Sequence, residues 1–325
     1  MGSAKFDIGQ KQLRRRSSVY LIVLHTLFGS LYWNGAEAQQ DPMYTQYMNN
    51  ILSINPAYAS VSTTMELNLL TRNQWVGVDG APVTQSFSAL MPLKNIYAGV
   101  GLSFISDKIG PVKQTGAYVD YSFKIRLAYR TYLSFGLKAG VNFFNTDYSI
   151  LEVNDEGDPI LSDDVTRKFL PNFGIGLFLY DDRFFAGLSI PKLLENQIHE
   201  VGYSSQYASK EEMHFFGIAG YVFELNRDVK FKSYTLVKLV PNSPVSLDVS
   251  AHFLFYDRLW VGANWRVGDA VGAMTQLFVT KQLKVGYAYD VTATDLNSFN
   301  KGTHEILVNF VINAGRRRFI SPRYF

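Results

Sequence analysis

The chain has 325 residues, 47% of them hydrophobic and 18% charged, with 25 Gly, 11 Pro and no Cys, which excludes collagen, a disordered polar chain and a disulfide scaffold. Residues 1–38 hold five of the 31 basic and two of the 28 acidic residues, so the remainder is electrically balanced and has no electrostatic motive for binding nucleic acid. Past that segment no run of 18 apolar residues exists, which excludes a polytopic helical membrane protein.

In residues 1–38, Arg14, Arg15 and Arg16 precede the apolar run Val19 to Phe28, and Ala36-Glu37-Ala38 supplies small residues before Gln39. These are the three parts of a secretory signal peptide. A membrane anchor over Val19 to Tyr32 is the alternative, disfavoured by the short run and by His25. Residues 39–60 are rich in Asn, Gln, Tyr and Met, and Pro42 and Pro56 prevent long regular structure. This segment is expected either to plug the interior of the domain beginning at residue 61 or to form a flexible periplasmic leader.

From residue 61 the sequence alternates. Ala117, Val119, Tyr121, Phe123, Ile125 and Leu127 interleave with Tyr118, Asp120, Ser122, Lys124 and Arg126, a period of two that belongs to a strand with one apolar and one polar face. Fourteen such strands are predicted, near 63–75, 82–91, 95–106, 112–127, 130–145, 171–181, 183–190, 213–226, 229–239, 244–256, 258–266, 271–280, 282–291 and 303–313. Half of them match the ~9–11 residues a tilted strand needs to cross a bilayer. Even-numbered connections are tight, with tips at Pro92-Leu93-Lys94, Ala128-Tyr129, Asp182, Arg227, Asp257 and Lys281. The long ones, including 146–170, 191–212 and 292–302, are all odd. That alternation is the pattern of an outer-membrane barrel with short periplasmic turns and longer outer loops. The predicted class is therefore all-β, a transmembrane antiparallel β-barrel of about 14 strands over 61–313, exported by the signal peptide to a Gram-negative outer membrane and solvated by its lipid. A soluble β-sandwich would also alternate, but with shorter strands and a face of Lys, Glu and Thr. Glycines at alternate positions (Gly99 and Gly101, Gly136 and Gly140, Gly174 and Gly176) relieve crowding on a concave wall. Trp75, Tyr97, Tyr132, Tyr180, Phe184, Trp260, Trp265 and Tyr287 are candidates for interfacial girdles.

The polar face carries Asp120, Lys124, Arg126, Lys138, Asp248, Arg266, Asp290 and Glu305. Mixed signs predict an ion-pair network crossing the lumen rather than a one-sign selectivity ring. Catalytic chemistry is poorly provided for. No two histidines lie at metal-ligand spacing, there is no thiol, and no GxGxxG or Walker A run occurs. Asp248, Ser250 and His252 form a same-face column, but neighbours ~7 Å apart do not place Ser and His in hydrogen-bond contact. The acidic run Asn154 to Asp158 with Asp163 and Asp164 does not fit an EF-hand loop and reads as solvated. No catalytic residue, cofactor or metal is expected. Past the last strand, a tail over 314–325 carries Arg316, Arg317 and Arg318 and ends in Tyr324 and Phe325. The triplet either balances inner-leaflet phosphates or docks a periplasmic partner.

Several short stretches occur together in order: Gln40-Asp41-Pro42 through Tyr44-Thr45-Gln46-Tyr47-Met48, then Ile54-Asn55-Pro56-Ala57-Tyr58-Ala59, Arg72-Asn73-Gln74-Trp75, Asp107-Lys108-Ile109-Gly110-Pro111, Trp260 to Arg266, Gly286 to Asp290, Thr303-His304-Glu305-Ile306 and the final Pro-Arg-Tyr-Phe. In this the sequence resembles the PorP/SprF family of outer-membrane proteins of type IX secretion and gliding motility. Ser60 departs from the glycine that commonly follows the Asn-Pro-Ala-Tyr-Ala run. The resemblance implies a non-enzymatic barrel. Its partners would be the periplasmic ring lipoprotein and partner subunits, or a surface adhesin bearing a C-terminal signal domain. It implies structural or docking roles for Asn55, Pro56, Tyr58, Arg72 and Trp75, and for Arg266, Asp290, His304 and Glu305. The runner-up function is a general diffusion or solute channel.

Overall fold

The computed structural model describes residues 42–93, 97–147, 168–197 and 210–312. The signal segment, the acidic run and the basic tail lie outside these residues. Fourteen strands form one closed antiparallel barrel: β1 (Met65–Asn73), β2 (Val83–Pro92), β3 (Ala98–Ile109), β4 (Val112–Arg126), β5 (Tyr132–Thr146), β6 (Lys168–Tyr180), β7 (Phe184–Ile190), β8 (Phe215–Glu224), β9 (Val229–Leu239), β10 (Ser246–Phe255), β11 (Leu259–Arg266), β12 (Ala270–Phe278), β13 (Leu283–Thr292) and β14 (Thr303–Ile312). Each strand pairs with its neighbours in the chain, and β1 closes on β14 from Met65↔Ile312 to Asn73↔His304. Closure pairs the backbone polar groups within the wall, which hydrocarbon requires. No helix among the described residues is long and apolar enough to cross a membrane.

The alternation seen in sequence is the alternation of faces. On β4, Val119, Tyr121, Phe123 and Ile125 are exposed on the lipid side while Tyr118, Asp120, Ser122 and Lys124 are buried inside. Strand ends shift by up to three residues from the sequence reading, the third strand running to Ile109 and not 106, and three differences have a physical reason. The first strand stops at Asn73, because Gln74 N–H turns to the carbonyl of Pro82 at 2.9 Å and Trp75 sits at φ +47°. The sixth begins at Lys168, ahead of the expected 171, and includes Pro171. There β6 has a ladder partner only in β5, since its pairing with β7 ends at Ile175↔Ile190, and a one-sided strand tolerates a missing N–H. Of the expected girdle residues, Tyr180 and Trp260 are buried and Tyr132 stacks on Tyr180 at 5.6 Å. Trp265 and Tyr287 do face outward.

The two ends of the barrel are distinguishable. Even-numbered connections span three to five residues and share one end with the start of β1 and the finish of β14. That end is periplasmic by the barrel rule. At the other end, β3 and β4 meet over only Gly110-Pro111, where Gly110 takes the φ of +53° that a side chain would resist.

Candidate functional site

The interior is filled by residues 42–61. Short helical turns cover Tyr47–Asn49, Ile51–Ile54 and Pro56–Ser60. Their apolar side chains, among them Tyr47, Ile51, Leu52, Ala57 and Ala59, join Leu70, Phe178, Phe185, Tyr234 and Leu307 of the wall in the protein's main apolar cluster. The fold is thus apolar outside, polar on the inner wall, and apolar again where this segment meets it.

The segment enters at the outer end and leaves at the periplasmic end. Tyr44 to Gln46 lie against the outer ends of β1, β11, β13 and β14, through Arg72, Arg266, Asp290 and Glu305. Ala59 and Ser60 lie against Gly99, Lys124 and Ser134, at the periplasmic ends of β3, β4 and β5. A cysteine at half-buried Met43 is accordingly expected to react with a membrane-impermeant maleimide on intact cells, and one at Thr64 to stay unlabelled until the outer membrane is breached. The opposite labelling order would reverse the direction.

The Asn-Pro-Ala-Tyr-Ala run is the tightest seat. Asn55 caps the turn after it: its Oδ1 accepts Ala57 N–H at 3.0 Å, and Pro56 occupies the first helical position, where no N–H is needed. Its Nδ2 donates to the Leu177 and Leu188 carbonyls of β6 and β7 at 2.9 and 3.4 Å. Tyr58 packs edge-on against Phe178, with centroids 5.5 Å apart. Beneath the run lie wall glycines where the segment leaves no room for a side chain. A Cβ on Gly136 would fall 2.1 Å from Ala57 N, on Gly176 2.1 Å from Asn55 Oδ1, and on Gly99 2.1 Å from Ala59 O. Wall donors then satisfy the segment's carbonyls: Ser134 Oγ to Ala57 at 2.7 Å, Ser189 Oγ to Ile54 at 2.7 Å, Lys124 Nζ to Ser60 at 2.6 Å and Lys138 Nζ to Leu52 at 3.0 Å. Each would otherwise be a buried unpaired acceptor, which is costly.

At the outer end the wall supplies the charge. Arg72 Nη1 meets Asp290 at 2.9 Å and Glu305 at 3.1 Å, all three nearly fully buried. One guanidinium cannot neutralise two carboxylates, and the segment supplies further donors. Thr45 and Gln46 N–H donate to Glu305 at 2.8 and 2.7 Å, and Thr45 Oγ1 donates to Asp290 while accepting from Arg72 at 2.7 Å. Beside them Arg266 pairs with Asp248 at 2.9 Å and reaches the Tyr44 carbonyl at 3.5 Å.

Against the sequence reading, the expected ion-pair network across the lumen is corrected. Asp120–Lys138 (3.3 Å) and Asp248–Arg266 join neighbouring strands in register, and Arg72 reaches no farther than β13 and β14. The segment itself spans the interior. Arg126 lies past the buried zone; it is exposed and donates to the Ala128 and Tyr129 carbonyls of the β4–β5 turn. Lys124 lies against Tyr132 and Tyr180, 5.6 and 6.0 Å from their ring centres. Asn55, Pro56 and Tyr58, expected among docking residues, are buried inside the barrel and present no surface to a partner. Trp75 is half-buried just beyond β1, its N–H donating to Thr303 Oγ1 at 3.2 Å. Arg316, Arg317, Arg318, Tyr324 and Phe325 lie outside the described residues. In the Asp248–Ser250–His252 column, Asp248 goes to Arg266 and His252 to the Tyr234 hydroxyl at 3.2 Å. Sequence reasoning missed Thr45, Gln46, Ser134 and Ser189 as anchors. Only the polar stretch Tyr44 to Tyr47 hinted at the first two.

Among solved structures the chain is similar to the Acinetobacter baumannii outer membrane protein Omp33 (13% identity over 78% of this chain and 100% of that one, TM-score 0.41), to the CymD monoaromatic hydrocarbon channel (11%, 85% and 94%, 0.46) and to a Pseudomonas aeruginosa FadL homologue (10%, 79% and 92%, 0.42). Likeness this loose adds nothing about activity. No curated protein matches the chain. The family model described as "Type IX secretion system membrane protein PorP/SprF" matches residues 36–310. A match over most of the chain, on a closed fourteen-stranded barrel, means that this protein belongs to the PorP/SprF family of type IX secretion system membrane proteins.

Proposed function

We propose that the protein is a non-conducting, non-enzymatic docking body in the outer membrane, where it holds the ring lipoprotein and partner subunits of the type IX machinery on its periplasmic face. The observation that carries this reading is the occupied lumen. A barrel whose inner wall is committed to its own amino-terminal segment, carbonyl by carbonyl, offers its ends rather than its interior to other molecules. The adjoining periplasmic turns β8–β9, β10–β11 and β12–β13 carry exposed Arg227, Arg258 and Lys281, none with an ion-pair partner among the described residues. These unpaired cations, with Asp228 exposed beside Arg227 and Asp257 engaged by Lys230, are suited to an acidic partner surface. The second reading, partnership with a surface adhesin's C-terminal signal domain, would use the long odd-numbered loops at the other end.

Affinity purification in mild detergent separates the readings. Ring subunits are expected to stay bound to the wild type and to be lost from R227E/R258E/K281E. Recovery of an adhesin domain in their place, undisturbed by those changes, would overturn the periplasmic reading. Large stable currents from the wild type in a planar bilayer would revive the solute channel.

A further inference from the structure

The outward face of β1–β4 changes character before the strands end. Leu69, Phe87, Phe104 and Ala117 form one register row across these strands, and the next row toward the outer end is Thr71, Gln85, Ser106 and Thr115. The first row belongs to the lipid-facing band: Leu69 and Phe104 are exposed, and the Phe87 and Phe104 rings lie 6.3 Å apart. The second is wholly polar although it too points out of the barrel. One row further, Lys108 of β3 stands directly opposite Lys113 of β4, both exposed. On the other side of the barrel the corresponding row, Val249, Trp265, Val271 and Val291, stays apolar to the strand ends.

Two like charges directly opposite one another destabilise a sheet. Elsewhere in this barrel opposed charges have opposite sign, as in Asp120 with Lys138, Asp248 with Arg266 and Arg72 with Glu305. Among the described residues neither the Lys108 nor the Lys113 ammonium has an ion-pair or hydrogen-bond partner. Their side chains rise at the edge of the apolar band, the level of the outer-leaflet headgroups. Opposed residues have Cβ atoms ~5 Å apart, so two flexible ammonium groups can converge on one tetrahedral anion. We infer that Lys108 and Lys113 clamp a phosphate of an anionic glycolipid of the outer leaflet. The Thr71, Gln85, Ser106 and Thr115 row meets the sugar and amide groups below it, and Phe87 and Phe104 meet the acyl chains.

The test uses the full chain in nanodiscs of zwitterionic lipid doped with diphosphorylated lipid A, with retained lipid counted by native mass spectrometry. The wild type is expected to retain lipid A and K108Q/K113Q to bind it roughly thirtyfold more weakly, the scale of two lysines at a charged surface. Dephosphorylated lipid A should bind the wild type as weakly as lipid A binds the variant, and K108R/K113R should retain the ligand. Heat-modifiable gel mobility reports whether each variant is a closed barrel; if the double variant is not, K113Q alone is measured and should still bind more weakly. Equal retention by the glutamine variant would overturn the assignment, as would equal binding of the dephosphorylated lipid. Displacement of lipid A by millimolar inorganic phosphate would make this a free-anion site and not a lipid site. Loss of a copurifying protein with lipid retention unchanged would make it a protein contact.

Discussion

Gly136→Ala is expected to expel the amino-terminal segment from the barrel. The added Cβ would lie 2.1 Å from Ala57 N, 2.3 Å from the Pro56 carbonyl carbon and 2.5 Å from Ala57 Cα. These are backbone atoms in a turn fixed by Pro56 and by the Asn55 cap, so no rotamer change relieves the clash. Ordinary overpacking of a core costs about 1–3 kcal/mol. Here the relief available is withdrawal of the turn, with loss of the Ser134, Lys124 and Asn55 hydrogen bonds that depend on it. Because the chain has no cysteine of its own, Ile51→Cys serves as a reporter: Ile51 is 1% exposed, and its replacement should resist maleimide in the otherwise wild-type barrel. Combined with Gly136→Ala it should label completely, and the variant should conduct in a planar bilayer where the parent does not. Gly217→Ala is the control, since its Cβ would meet only Leu188 Cδ2 at 3.6 Å. A closed, silent and unlabelled Gly136→Ala barrel would mean that the segment does not sit against this wall.

That experiment also bears on function. A docking body requires a closed lumen only to keep the outer membrane sealed, so a conducting variant that still holds ring subunits would separate sealing from docking. A variant that loses both would make the segment part of the docking geometry.

The face of nearly every strand residue was legible in the sequence, because hydrocarbon on one side and a polar interior on the other impose the same two-residue period on every strand. Lys138 and Asp120 could be placed on the inner face by parity, but their pairing could not, since register between strands depends on turn lengths that parity does not contain. Arg126 shares that parity and yet lies at the rim, because depth along the strand is a separate quantity from face. The wall glycines were visible as well, and the reason for them was only half visible. Relief of crowding on a concave wall accounts for their number, but Gly99 and Gly136 are small because a second stretch of backbone rests on them, and Gly176 because the Asn55 side chain does. That stretch left no periodic signal, being built of one-turn helices broken by Pro56. For its Asn-Pro-Ala-Tyr run the resemblance implies a structural or docking role, and burial of Asn55, Pro56 and Tyr58 decides for the structural one.

Arg72→Met is expected to destabilise the folded barrel by about 3–5 kcal/mol, the cost of leaving buried charge without its partner. Asp290 and Glu305 would keep only the donors of Thr45 and Gln46, and two carboxylates that share one guanidinium would face each other unscreened. A buried pair is weak evidence of net stabilisation, because apolar or neutral replacements of the whole set are often tolerated. The triple variant R72M/D290N/E305Q should therefore recover much of the loss, although the single amide oxygen of residue 305 can replace only one of the two carboxylate oxygens that accept from Thr45 and Gln46 N–H. Urea midpoints followed by tryptophan emission in detergent micelles provide the measurement, and the Met43→Cys reporter reads the outer end of the segment in the same samples. Arg72→Met alone should shift the midpoint down and speed labelling at position 43, while the triple variant should return both toward wild type. If the single and triple variants are equally unstable, Arg72 acts through the packing of its stem against the segment. If neither variant changes the midpoint, the cluster bears no strain when broken and the amino-terminal segment is held by its apolar face and the glycine seat alone.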